Sequence, residues 1–117
     1  MKTYYELVNE VKQRVREVTP DEVMAMQRRG EPAVLLDVRD QPEVNLGKIP
    51  GAVHISRGTM EGKVEAVIPR EAHVIIYCAS GNRSAFAAET LGQMGYQDVA
   101  SMKGGIRGWV EAGGDVE

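Results

Sequence analysis

The sequence predicts a single α/β domain with a mainly parallel β-sheet and helices on both faces. Short apolar segments of strand-like composition alternate with amphipathic helical segments, which is the pattern of βα units. Residues 74–77 show no polar alternation, as expected for a strand that is covered on both faces. With 117 residues, 43% of them hydrophobic, the chain can build one adequate core.

Composition also excludes several classes of function. The formal net charge of -3 argues against nucleic acid or an anionic membrane surface as the main partner. No apolar run approaches the length of a membrane span, and the first residues lack the apolar core of a signal peptide. We therefore expect a cytoplasmic protein. No ligand spacing typical of a metal site is present, and we expect neither a metal nor a cofactor.

Two helices are predicted near the N-terminus. Residues 3–18 form an amphipathic helix in which Thr3 and Glu6 have capping-box spacing. It either packs on the domain or offers a partner surface, and its apolar face comprises Tyr4, Leu7, Val8, Val11 and Val15. The second helix has Thr19 as N-cap, Pro20 at its first position and Glu22 closing a capping box, and Gly30 ends it.

The next segments alternate between strands and short helices. Residues 34–38 are a buried strand, 41–46 a helical turn, 49–52 a type II turn, 52–55 a short strand and 56–66 a loop with a polar helix. For Asp37 and Arg39 we favour a structural role, because a buried carboxylate facing a thiolate would disfavour the anion. Neither His54 nor His73 is placed as the base that a cysteine protease needs.

The strongest functional signal follows the strand at residues 74–77. The only cysteine, Cys78, ends this strand, and a loop of small residues then leads into a helix predicted at 85–94. In open α/β sheets ligands bind just outside the carboxyl ends of the strands. Loop N–H groups and the helix N-terminus together favour a thiolate there, and Arg83 adds a planar cationic donor.

A lone cysteine at the end of a strand is commonly a small buried hydrophobe. A plain strand-to-helix connection requires neither an arginine nor an anion-binding loop, so we favour a reactive thiolate that is exposed within a ring of amides. A single cysteine excludes a second thiol within the chain, so the acceptor must come from outside.

Toward the C-terminus, Gly95 ends the helix, residues 99–102 are a strand, and Gly104 and Gly105 turn into a helix that Trp109 anchors to the core.

Four segments together resemble the rhodanese (sulfurtransferase) family. They are the loop at 78–84, residues 35–39, residues 47–52, and the run from Gly95 and Tyr96 to Gly104, Gly105, Ile106 and Trp109. Lys48 stands where the family usually has histidine, and Ala79, Ser80 and Asn82 are uncharged. The resemblance implies the rhodanese fold. It also divides the chain into an N-terminal helical extension at 1–17 and a rhodanese-like domain at 18–117.

The resemblance implies that Cys78 accepts sulfane sulfur from a donor such as thiosulfate and passes it, through a persulfide, to cyanide or a thiol. The substrate-binding residues would be Ala79, Ser80, Gly81, Asn82, Arg83 and Ser84. The alternative is a persulfide carrier or interaction module with protein donors and acceptors. A phosphatase or arsenate reductase of related fold is less favoured, because their cysteine and arginine are separated by one residue more than Cys78 and Arg83.

Overall fold

The computed structural model describes residues 1–117 and contains one five-stranded sheet in which all neighbours are parallel. The strands lie in the order β1-β5-β4-β2-β3. Their bounds are Glu17–Val18 (β1), Val34–Asp37 (β2), Val53–His54 (β3), His73–Tyr77 (β4) and Asp98–Met102 (β5). The predicted α/β class with a parallel sheet is therefore confirmed.

Six α-helices cover the sheet. They are Tyr4–Arg14 (α1), Pro20–Arg28 (α2), Gln41–Asn45 (α3), Met60–Val67 (α4), Asn82–Gln93 (α5) and Gly105–Glu111 (α6), and a 3₁₀ turn at Arg57–Thr59 precedes α4. One core joins the sheet to α4 and α5 through residues such as Met60, Val64 and Leu91. The other core joins the opposite face to α2 and α6 through Val23 and Trp109. No helix combines the length and apolar character needed to cross a bilayer.

The central strand β4 explains the unbroken apolar run in the sequence. It lies between β5 and β2, and the residues from Val74 to Tyr77 are all 0% exposed. Tyr77 is paired with Asp37, so the carboxyl ends of β4 and β2 meet at one edge of the sheet. Cys78 comes directly after this edge.

The N-terminal segment departs from the prediction. Thr3 and Glu6 do form the capping box, but the helix ends at Arg14, and Glu17–Val18 forms an edge strand paired with β5. The predicted helix to residue 18 is wrong because pairing with an open sheet edge satisfies backbone groups that a helix end leaves free. Of the predicted apolar face, Val8 and Val11 are buried, whereas Tyr4 and Leu7 are exposed.

The buried pair Asp37–Arg39 braces the loops beside the site. The Asp37 carboxylate accepts hydrogen bonds from the backbone N–H and the guanidinium of Arg39. Arg39 also donates to the backbone carbonyl of Gly47 at 2.7 Å. These contacts agree with the structural role expected for both residues, since each ends on another part of the chain.

Candidate active site

The sulfur of Cys78 lies within a small ring of hydrogen-bonding groups. The backbone N–H of Gly81 donates to Sγ at 3.1 Å and that of Ser84 at 3.4 Å. The other loop amides, from 79, 80, 82 and 83, form no hydrogen bond to the sulfur. Cys78 is 1% exposed, so the exposed thiolate expected from sequence is wrong. The sulfur is shielded from solvent, but two amides point at it.

The local sequence explains why these amides converge. Gly81 adopts φ 102°, a left-handed conformation that glycine accepts readily, and it serves as the N-cap of α5. The helix begins at Asn82, earlier than the predicted residue 85, because this turn of the chain starts the helix at once. Ser84 therefore belongs to the first helical turn, whose N–H groups have no partner within the helix and are free to bind the sulfur.

The first residues of α6 are hydrogen-bonded to the backbone of the Cys78 loop. Ile106 N–H donates to the carbonyl of Cys78 at 2.8 Å, and Arg107 N–H donates to that of Ala79 at 3.2 Å. A Cβ on Gly105 would lie 2.4 Å from the Cys78 carbonyl oxygen, so only glycine permits this approach. The predicted glycine turn thus serves the site itself.

Arg83 is not a free cation at the rim. Its guanidinium donates to both carboxylate oxygens of Glu43 on α3, at 2.7 and 2.8 Å. The hydrogen bonds from Arg83 lower the pKa of Glu43 to about 2, and those to Glu43 raise the pKa of Arg83 above its ordinary value. Sequence reasoning missed Glu43, whose only visible signal was its capping position at the start of a short helix.

A second residue that the sequence did not indicate is Ser101, which is connected to the sulfur through Ser84. The hydroxyl of Ser84 is 3.4 Å from Cys78 Sγ and 2.8 Å from the hydroxyl of Ser101 on β5. Ser84 and Ser101 are each 0% exposed. Ser101 stands in a predicted strand, and no motif marked it.

An apolar groove opens beside the loop. Its volume is about 570 Å³, and its lining includes Ala79 and Ile106. It also exposes three large apolar side chains, Leu46, Val110 and Val116, which are 92%, 52% and 49% exposed. Any molecule that approached Cys78 over Ala79 would meet this apolar surface.

The structure separates the remaining predicted residues from the sulfur ring. Ser80 is exposed, and Asn82 is partly buried at the start of α5. His54 Nε2 hydrogen-bonds the carbonyl of Arg39 at 2.7 Å, and His73 lies at the opposite end of the sheet, as the first residue of β4. Neither histidine hydrogen-bonds the sulfur. Trp109 anchors α6 by donating from Nε1 to the carbonyl of Asp115 at 2.8 Å.

This strand–loop–helix arrangement coincides with a family match. The model of the Rhodanese-like domain matches residues 19–112. This range includes the four strands β2 to β5 and the whole Cys78 loop, and it begins directly after the edge strand β1. The chain belongs to the rhodanese-like domain family. The resemblance inferred from the four sequence segments is confirmed.

Curated relatives place the chain among rhodanese-like sulfurtransferases and sulfur carriers. It is 35% identical over 94 residues to the thiosulfate sulfurtransferase GlpE of Pseudomonas fluorescens, which covers 80% of this chain and 84% of that protein. It is 36% identical over 75 residues to YrkF of Bacillus subtilis, named as a candidate sulfur carrier protein, covering 64% of this chain and 40% of that one.

A solved structure extends the likeness to the N-terminal helix. A protein of unknown function from Rhodopseudomonas palustris, described as a possible tyrosine phosphatase, superimposes with a TM-score of 0.89 at 32% identity. The match covers 100% of this chain and 96% of that one. The match therefore includes helix α1.

Proposed function

We propose that the protein is a sulfurtransferase that carries sulfane sulfur as a persulfide on Cys78. The observation on which this depends most is the pair of amides, from Gly81 and Ser84, that donate to the sulfur in a rhodanese-like domain. Amides that face a sulfur stabilise its anion, which is the form that attacks. A free cysteine in a reducing compartment stays available for this reaction, and the cytoplasm is part of the proposal.

The reaction has two covalent steps. The Cys78 thiolate attacks the outer sulfur of thiosulfate, the sulfur–sulfur bond of the donor breaks, and sulfite leaves with its electron pair. Cyanide or a thiolate then attacks the outer sulfur of the persulfide and releases the Cys78 thiolate. Splitting one transfer into two steps in this way gives ping-pong kinetics.

The loop has different tasks in this scheme. Gly81 and Ser84 hold the inner sulfur, and the outer sulfur emerges among Ala79, Ser80 and Asn82. These residues lack charge, so they bind a donor through backbone N–H groups, the Ser80 hydroxyl and the Asn82 side-chain amide. Arg83 orients an anionic donor only to the extent that Glu43 leaves it free.

The Arg83–Glu43 pair favours a second candidate, a carrier that works with protein donors and acceptors. A thiosulfate dianion brings two negative charges and gains most from an unpaired cation, whereas a protein persulfide brings at most one. The apolar groove beside Ala79 suits a protein surface better than a small dianion. The chemistry at Cys78 is the same in both candidates.

Phosphatase activity ranks below both. The structural relative described as a possible tyrosine phosphatase raises the question. Four residues separate Cys78 from Arg83, and phosphatases of similar appearance have one more. Cys78 is also shielded to 1% exposure, which suits one sulfur atom better than a tetrahedral phosphate.

The test is intact-mass spectrometry of the protein after incubation with thiosulfate or with the persulfide of a cysteine desulfurase. Wild-type protein should gain the mass of one sulfur atom and lose it on addition of cyanide, and Cys78→Ser should gain none. A faster reaction with the desulfurase persulfide would favour the carrier. Unmodified wild-type protein with both donors, or appreciable hydrolysis of an aryl phosphate, would overturn the proposal.

A further inference from the structure

Two buried hydroxyl groups connect the sulfur to the sheet. Ser84 Oγ lies between Cys78 Sγ, at 3.4 Å, and Ser101 Oγ, at 2.8 Å. Ser84 is on α5 and Ser101 on β5, and both are 0% exposed. The hydroxyl of Ser101 has no hydrogen-bond partner other than Ser84, so Ser84 is the only acceptor for its proton.

Ser101 is a polar residue in the buried part of β5. Its neighbours Ala100 and Met102 point into the core beneath α2 and α6. Side chains alternate along a strand, so Ser101 faces the other core, which contains Cys78. A buried hydroxyl in such surroundings is costly unless its proton and lone pairs are hydrogen-bonded.

Counting the hydroxyl protons selects one arrangement. If Ser84 donated to Ser101, the proton of Ser101 would have no acceptor in a region without solvent contact. If Ser101 donates to Ser84, the proton of Ser84 is directed to the sulfur, and both protons are bonded. We propose that Ser101 is a positioning residue that directs the Ser84 hydroxyl proton to Cys78 Sγ and so favours the sulfur anion.

This arrangement gives the sulfur a third donor. Gly81 N–H and Ser84 N–H donate to it, and the Ser84 hydroxyl, 3.4 Å away, becomes the third donor when Sγ is an anion and has no proton of its own to donate. A donor that is itself polarised by a second hydroxyl forms a stronger hydrogen bond to an anion. The inference deepens the proposed function, on which it rests, by naming a residue outside the loop that prepares the nucleophile.

The test is the rate of alkylation of Cys78 by iodoacetamide between pH 5 and pH 10 (about the range that cysteine titration spans). At a pH below the wild-type midpoint, Ser101→Ala should react about three- to tenfold more slowly, because loss of one hydrogen bond lowers the thiolate fraction by roughly that factor. Its midpoint should move upward. Ser101→Thr, which keeps a hydroxyl, should recover most of the lost rate.

Charged groups near the sulfur are unchanged in these variants, so a shift reports on the hydroxyls. Arg83 on α5 is paired with Glu43 on α3, and Asp40 also acts on Arg83. Other charged side chains around the loop are Asp37, the last residue of β2, Arg39 just after it, and Arg107 and Glu111 on α6.

A double-mutant cycle distinguishes positioning from general loosening of the core. If Ser101 acts through Ser84, then Ser84→Ala should abolish the effect of Ser101→Ala on alkylation, and the two effects should not add. Ser56→Ala, which removes a hydroxyl that does not contact the sulfur, is the matched control and should keep the wild-type profile. Additive effects, an unchanged Ser101→Ala profile, or a Ser101→Thr profile equal to that of Ser101→Ala would overturn the inference.

Alkylation requires no sulfur donor, so this result is independent of the proposed function. A protein that takes no sulfur from either donor but shows the non-additive cycle would retain the Ser101 role and lose the sulfurtransferase assignment. A protein that forms the persulfide, but in which the effects of Ser84→Ala and Ser101→Ala on alkylation add, would retain the sulfurtransferase assignment and lose the Ser101 role.

Discussion

At the scale of single residues, the charge beside the sulfur belongs to Arg83, and Glu43 neutralises it. Both hydrogen bonds of the pair are short, at 2.7 and 2.8 Å, and both partners are about one-third exposed. An arginine held in this way by both of its terminal nitrogens has less capacity to bind a second anion. We therefore expect the preference between a thiosulfate dianion and a less charged protein persulfide to depend on Glu43.

Glu43→Gln should lower the KM for thiosulfate about three- to tenfold, because it releases the Arg83 charge, while a protein persulfide donor should be affected little. Glutamine retains the capping role at the start of α3. Steady-state kinetics with both donors provide the measurement. Glu111→Gln, a change in the same groove at a residue without an ion pair, is the control. An unchanged KM for thiosulfate in Glu43→Gln would contradict this role.

The same pair should contribute to stability above the unfolded-state pKa of Glu43, about 4.3. The folded-state pKa of Glu43 is lowered to about 2, so this contribution is lost as the pH falls from about 4.3 toward 2. Solvent screening limits it to less than about 1 kcal/mol. Urea unfolding at pH 7 and pH 3 should show a smaller pH dependence for Glu43→Gln than for wild type. Parallel pH curves for the two proteins would show that the pair contributes nothing.

At the scale of elements, the N-terminus of α6 is packed directly against the Cys78 loop. The amides of Ile106 and Arg107 bind the carbonyls of Cys78 and Ala79, and Gly105, at φ 58°, permits the contact. A helix that fixes the back of the loop determines where the loop's own amides point. The conformation of the loop around Cys78 thus depends on α6, a helix that begins only at Gly105.

Gly105→Ala should destabilise the fold by about 2–4 kcal/mol and slow persulfide formation, because the added Cβ collides with backbone atoms and the φ angle is strained. Gly92→Ala is the matched control. Gly92 lies within α5 and a Cβ there meets nothing within 4 Å, so this change should stabilise by about 0.5–1 kcal/mol. Urea unfolding gives the free energy of unfolding of both variants. Equal values for the two would show that the close contact between Gly105 and the Cys78 loop does not contribute to stability.

At the scale of the whole molecule, the sheet joins two cores that otherwise do not meet. Helix α1 packs on α5 over one face through Val8 and Val11, and Trp109 lies in the core of the opposite face. The division of the chain into an extension at 1–17 and a domain at 18–117 stays a prediction. The pairing of β1 with β5 directly after α1 argues that both parts unfold together.

Val11→Ala should lower the free energy of unfolding by about 2 kcal/mol, since it removes two buried methyl groups. Fluorescence of Trp109, across the sheet, should report the same loss as circular dichroism if the molecule unfolds in one step. Leu7→Ala, at a 40% exposed position of the same helix, should change the stability much less. If the unfolding transition measured by Trp109 fluorescence were the same in Val11→Ala and wild type, the N-terminal extension would unfold independently of the domain.

Local sequence patterns predicted the elements well. The capping boxes at Thr3 and Thr19, the turn closed by Gly51 and the buried run at β4 are found where they were expected. Each pattern depends on residues within a few positions of one another, so sequence alone can express it. The family was also visible from short motifs around Cys78 and Gly104.

Tertiary structure decided the order of the strands, the strand at Glu17–Val18 and the partners of the site. Arg83 meets Glu43 across 40 residues and Ser84 meets Ser101 across 17. These pairs exist only because β4 lies between β2 and β5, which brings distant segments to the same edge of the sheet. No local spacing encodes that order. The sequence alone therefore singled out Cys78 as the candidate nucleophile. The packing of the strands determined what surrounds it, because contacts between remote segments follow from topology.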